Sequence, residues 1–135
     1  GGFAARRRGV EQLVLHEGGG LMTDKTITQE FEDQEILRRS RVSLRADVLE
    51  TALSLTTGDR NAAYGDPVEN HTHIARVFNA ITGRDLSARD VALVHVATKL
   101  ARLAKNHRHH DSHVDGAAYL GIVRECAEAE AVTSD

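Results

Sequence analysis

One cysteine, one proline and no tryptophan in 135 residues, with aromatics at 4%, remove several fold classes at once. Cys126 has no second thiol to pair with inside the chain, so an internal disulfide framework is excluded. Sandwiches and barrels draw on aromatic and β-branched strands, and no alternating stretch of useful length occurs here. No apolar run approaches the roughly 18–20 residues that cross a bilayer, so no membrane span is expected. Charge of either sign is also missing as a surplus: 17 Lys and Arg face 20 Asp and Glu, for a formal net charge of −3. Such a balance gives no general cationic field for bulk nucleic-acid binding or for an anionic membrane. What remains is rich in Ala, Leu, Val, Glu and Arg, the composition of helices, at a length that suits one domain.

Residues 1–21 carry Arg6, Arg7 and Arg8 and then Glu17-Gly18-Gly19-Gly20-Leu21 directly before Met22. A purine-rich ribosome-binding site yields such a peptide when translated, so this stretch reads as translated leader or cloning-derived sequence. Residues 22–42 form a polar N-terminal segment in which Ile27, Phe31, Ile36 and Leu37 could support a weak helix. The folded domain is expected over residues 43–130, with 131–135 as a tail. A first helix starts at Ser43, where Leu44, Val48, Leu49, Ala52 and Leu55 keep helical spacing until Gly58. The turn-rich segment from Gly58 leads to Asp66-Pro67, a cap followed by the residue that best fits a first turn. A second helix then carries Ile74, Val77, Phe78 and Ile81 as its apolar face and stops at Gly83. Ser87 to Asp90 matches a capping box and opens a third helix, apolar on most sides and expected to be central. A fourth helix, capped by Asp111 or Ser112, runs to about Ala129. The expected architecture is all-α and like a four-helix bundle.

Chemistry is suggested where polar residues fall on apolar faces. Asp111 and Asp115 share one stripe with Ala118 and Ile122, and buried carboxylates need a cation, a metal or a wet pocket; the plainer reading is a helix cap beside a surface acid. His95, Lys99, Arg102 and Asn106 make a cationic stripe on the third helix, able to hold phosphate oxygens or simply to face water. Glu69 could complete an oxygen set for Mg²⁺ or complement the helix dipole, and Asn70 points inward beside Ile74. His107, His109, His110 and His113 offer zinc-like spacing without a cysteine partner, the weaker reading. Cys126, with no base nearby in sequence, reads as a small core residue.

Taken in order, Gly58-Asp59-Arg60, Tyr64-Gly65-Asp66-Pro67, Glu69-Asn70, Lys99 with Arg102, and Asp111, Asp115 and Tyr119 resemble a phage and prophage family catalogued as a domain of unknown function. The match covers roughly residues 44–130. That family in turn resembles the MazG-type all-α nucleoside triphosphate pyrophosphatases. This chain departs from them in lacking their paired glutamates, with Glu69 alone in that place, and in spacing its last acids as Asp-x-x-x-Asp. The resemblance implies Mg²⁺ or Mn²⁺ held by Glu69, Asp111 and Asp115, with Lys99, Arg102 and Asp115 as catalytic residues. Arg60, Tyr64, Asn70, Lys99, Arg102 and Tyr119 would contact a nucleotide. The function expected on this basis is Mg²⁺-dependent hydrolysis of nucleoside triphosphates to monophosphate and pyrophosphate, in the host cytoplasm if the chain is phage-encoded. Capture of a nucleotide or cyclic-nucleotide defence signal without turnover is the first alternative, and a structural or host-interaction module the second. A symmetric homo-oligomer built on a dimer is expected, because the third helix is too apolar for one chain to cover.

Overall fold

A computed structural model describes residues 24–134 and, among these, the side chains of all but residues 24, 25 and 59–61. The leader expected over residues 1–21 and the side chain of Arg60 therefore lie outside the described residues. The described residues form five helices and no strand: α1 Asp24–Thr57, α2 Asp59–Tyr64, α3 Pro67–Thr82, α4 Ala88–Lys105 and α5 His110–Thr133. The all-α expectation holds. Two boundaries differ from it. The first helix begins at Asp24 rather than Ser43, and the turn-rich segment after Gly58 closes into the short α2.

The chain divides into two compact units at Arg45/Ala46. In the first, the α1 residues are tied by local polar contacts: Gln29 donates to Asp33 at 2.7 Å, and Arg38 and Arg39 both reach Glu35, at 2.8 and 3.0 Å. These pairs hold the Glu35 carboxyl down to about 2, chiefly through its hydrogen bonds from Arg38 and Arg39. Spacings of three and four residues explain why a segment with so few apolar residues is helical.

The second unit packs α4 against both α5 and α3, and α3 also meets α5. Its helix starts are set by local chemistry. Asp66 accepts from the Glu69 N–H at 3.0 Å with Pro67 in the first turn of α3, and Gly83 ends that helix with φ 69°, a left-handed value that favours glycine. Ser87 and Asp90 form the reciprocal capping box of α4. Between them Asn79 bonds Leu86 twice, donating to its carbonyl at 2.9 Å and accepting from its N–H at 2.8 Å, which closes the link from α3 to α4. For α5 the cap is His109, not Asp111 or Ser112: its Nδ1 accepts from the Ser112 N–H at 3.2 Å and lies 2.7 Å from the Ser112 hydroxyl. A buried Ser112 is thereby satisfied, which an exposed Asp111 cap would not have achieved.

The core is built from small side chains. Ala75, Ala88, Val91, Ala92, Val96, Val114 and Cys126 are buried, together with His71 and Ser112. Cys126 is fully buried, as its small-core reading implied, and desolvation raises its thiol pKa, helped by Glu125, Glu130 and Asp66. α5 passes close to α4 at Gly116, where a Cβ would stand at ordinary contact distance, 3.7 Å, from the Lys99 Cβ. At the far end of the same seam, Arg89 binds Glu130 through its backbone N–H at 3.2 Å and its guanidinium at 3.6 Å. The apolar face expected on α3 is not covered: Val77, Phe78 and Ile81 are exposed, and His71 and Ala75 are buried instead. On α4, Leu93, Val94 and Leu100 are likewise exposed. Among the described residues no helix is long and apolar enough to cross a membrane.

Candidate ligand-binding site

A cavity of about 330 Å³ opens where the end of α1, the α2–α3 corner, α4 and α5 meet. That volume is at the low end of the about 300–1,000 Å³ typical of small-molecule sites. Leu55, Thr56, Pro67, Ala118 and Ile122 supply its apolar wall, and Tyr64, Asn70, His71, Lys99, Asp115 and Tyr119 its polar groups. Gly65 completes the corner with φ 79°, a backbone conformation that suits glycine and leaves the entrance free of a side chain.

Each polar group arrives by a different route. Asp115 follows Ser112 by one turn of α5 and lies beside Ala118 and Ile122, so its carboxylate enters the cavity as its apolar stripe implied. Lys99 comes from the buried face of α4, in line with Ala88 and Ala92, and its Nζ sits 2.9 Å from the Asp115 Oδ2. The two charges meet across the α4–α5 seam. Asn70 and Tyr64 stand at the exposed rim, and Tyr119 forms part of the floor.

Behind Tyr119 is a ring cluster. The His95 imidazole stacks on Tyr119 with centroids 4.6 Å apart and planes 14° from parallel, and it meets His71 edge-on at 5.4 Å. Burial, followed by the nearby His71 and Lys99, holds the His95 pKa below the ordinary imidazole value, so the ring favours its neutral form. His71 is 4% exposed; its Nδ1 lies 2.7 Å from the Pro67 carbonyl oxygen and its Nε2 is buried with no hydrogen-bond partner among the described residues.

Of the sequence candidates, the structure gathers Tyr64, Asn70, Lys99, Asp115 and Tyr119 around this one cavity. Arg102, although in line with His95 and Lys99, is one turn further along α4 and is exposed outside it. Glu69 and Asp111 are exposed in the first turns of α3 and α5 and do not line it. No cluster of three or more His, Cys, Asp or Glu side chains able to hold a metal occurs among the described residues. Of the three carboxylates expected to share Mg²⁺ or Mn²⁺, only Asp115 therefore lines this cavity. The zinc-like histidines have separate tasks: His109 caps α5, the His113 Nε2 donates to the His107 carbonyl at 2.8 Å, and His110 lies 3.5 Å from Asp47. His71 was missed. Its signal was present, because it falls in line with Ala75 and Phe78 at helical spacing, a polar residue on an apolar face by the same logic that singled out Asp115.

Comparison with known proteins places these residues in a family. The model of a family described as a domain of unknown function, DUF6378, matches residues 47–127. The "Gene 55 protein" of Mycobacterium phage D29 is 38% identical over 81 residues, 60% of this chain and 54% of that protein. The "Gene 55 protein" of Mycobacterium phage L5 is 37% identical over 79 residues, 58% of this chain and 51% of that protein. The aligned region thus spans about half the length of these curated relatives. No solved structure matches the chain.

Proposed function

Since this chain belongs to the DUF6378 family, which has members in phages, we propose that its cavity binds a mononucleotide from the nucleotide pool and holds it without turnover. The observation that carries this reading is the meeting of a stacking ring and a paired charge in one small cavity: Tyr119 beside Lys99 and Asp115. A planar base suits the face of Tyr119. Lys99 can donate to phosphate or sugar oxygens, Asp115 can accept from sugar hydroxyls, and Asn70 at the rim can do both. With Arg102 outside the cavity and Lys99 already paired, the site offers little positive charge to a triphosphate, which favours a ligand with one phosphate.

Hydrolysis in the manner of MazG-type enzymes asks for convergent carboxylates around a metal. Here Asp115 alone reaches the cavity and is engaged by Lys99, so the geometry supports capture better than cleavage. The exposed apolar stripes of α3 and α4 support association into a homo-oligomer.

The test is a panel of ribo- and deoxyribonucleoside mono-, di- and triphosphates added to the full chain with and without Mg²⁺, reading melting temperature and reaction products together. Capture predicts a raised melting temperature with monophosphates and chemically unaltered ligand. Release of pyrophosphate from triphosphates would establish the hydrolase reading instead. No thermal shift with any nucleotide would overturn both.

A further inference from the structure

His71 is the least explained group in the cavity wall. A main-chain carbonyl can only accept, so the 2.7 Å contact with Pro67 requires the proton to sit on Nδ1. In the neutral ring Nε2 then keeps a bare lone pair, and this atom is buried without a partner among the described residues. A buried acceptor left unmade is costly, and such groups in native proteins commonly await a ligand or an ordered molecule. The nearest rings are His95, edge-on at 5.4 Å, and Tyr119, at 6.3 Å.

We propose that His71 Nε2 is the atom that reads the base: it accepts a hydrogen bond from an exocyclic amine or ring N–H of a heterocycle stacked in this cavity. This rests on the mononucleotide reading above and deepens it. The arrangement already has a heteroaromatic ring in place, because the His95 imidazole stacks on Tyr119 and meets His71 at its edge, as an incoming base would. Nε2 is buried in the free chain, so binding has to open the ring cluster in which half-buried His95 meets His71, and exchanges a packing contact for one that supplies a donor. The selectivity that results is for the donor on the base, whereas Lys99 and Asp115 address the sugar and phosphate end.

The experiment pairs natural nucleotides with analogues lacking the donor: adenosine 5′-monophosphate against purine riboside 5′-monophosphate, and uridine 5′-monophosphate against its N3-methyl derivative. Calorimetry on the full chain is expected to show at least about tenfold weaker binding for the donor-less member of whichever pair binds. The difference should vanish in His71→Phe. Imidazole ¹⁵N spectra of the wild-type chain give a readout that needs no variant: His71 should be the Nδ1–H tautomer when free, with its Nε2 signal moving on saturation with the natural nucleotide. If His71→Phe fails to fold, the wild-type analogue pairs and the spectra decide alone. Equal affinity within a pair, an Nε2–H tautomer in the free protein, or an unmoved Nε2 signal at saturation would overturn this role while leaving nucleotide binding standing. Binding by none of the four probes, together with no thermal shift across the full nucleotide panel, would instead bring down the mononucleotide reading and this inference with it.

Discussion

Lys99 and Asp115 hold each other at 2.9 Å across the α4–α5 seam, with only 15% and 29% of their side chains exposed. The pair is both a tie between the two helices and the polar end of the cavity. Replacing Asp115 by Asn keeps the shape and removes the charge. We expect a stability loss of about 1–2 kcal/mol in urea denaturation, less than for a fully buried pair because water still reaches both groups. We also expect tighter binding of nucleoside monophosphates, since Lys99 is then free to meet phosphate. Asn keeps an acceptor oxygen for a sugar hydroxyl, so weaker binding, seen by calorimetry, would mean that the carboxylate charge itself holds the ligand.

Gly116 offers a sharper test of the seam. A methyl group there would sit at ordinary contact distance from the Lys99 Cβ, 3.7 Å away, and its backbone is helical. Gly116→Ala should therefore stabilise the chain by about 0.5–1 kcal/mol, the helix-propensity gain. Gly116→Leu has no such room and should both destabilise the protein and displace Lys99. Thermal denaturation of the two variants separates these effects, and a destabilised Gly116→Ala would show the helices to be closer than described.

The α3 cap positions the cavity corner from which His71 descends. Asp66→Ala removes the acceptor for the Glu69 N–H and should cost about 1 kcal/mol. Because Pro67 is both the first residue of α3 and the carbonyl partner of His71, ligand affinity should fall as well. Calorimetry on the variant checks this; unchanged affinity would uncouple the cap from the cavity.

His95 gives the second unit a defined acid response. Its folded pKa lies below the ordinary value of 6.5, so as pH falls the unfolded chain takes up the proton first. The contribution is fully present above about pH 6.5 and is lost as pH falls through the lower folded value. Chemical denaturation at a series of pH values should show this decline, and His95→Phe should flatten it. Glu35, held down to about 2, acts in the same direction in a separate window below its ordinary 4.5. It is solvent-exposed and makes only a minor contribution.

The open stripe on α4 predicts association. Leu93 and Leu100 are exposed at 43% and 58%, with Ala97 between them at heptad-like spacing. Light scattering on the full chain should report a dimer or dimer-based species at micromolar concentration, and Leu100→Glu should shift it towards monomer. A wild-type monomer would leave these residues as ordinary exposed apolar surface.

Much of this was legible because the signals are local. Asp66-Pro67, Gly83 and the Ser87–Asp90 box act within a few residues, and each sits where its spacing said. The long α1 was not legible from hydropathy, since its first half is held by Glu35, Arg38 and Arg39 rather than by an apolar stripe. Asp115 and Lys99 were identified by polarity on an apolar face, but that rule cannot tell how far along a helix the cavity extends, and so it also admitted Arg102 and Asp111. His71 escaped because a burial pattern that runs through Ala75 was overshadowed by the larger Val77, Phe78 and Ile81, which the single chain leaves exposed. Which of two adjacent helix faces is covered depends on the partner helix, and no local pattern encodes that.

The smallness of the buried side chains has a thermodynamic reading. Ala88, Ala92, Gly116 and Ala75 have no rotamers to surrender, so ordering the walls that carry Lys99, Asp115 and His71 costs little side-chain entropy beyond that of the functional groups themselves. The walls of the cavity are thus largely set before any ligand arrives, and what binding must still rearrange falls to the functional side chains themselves.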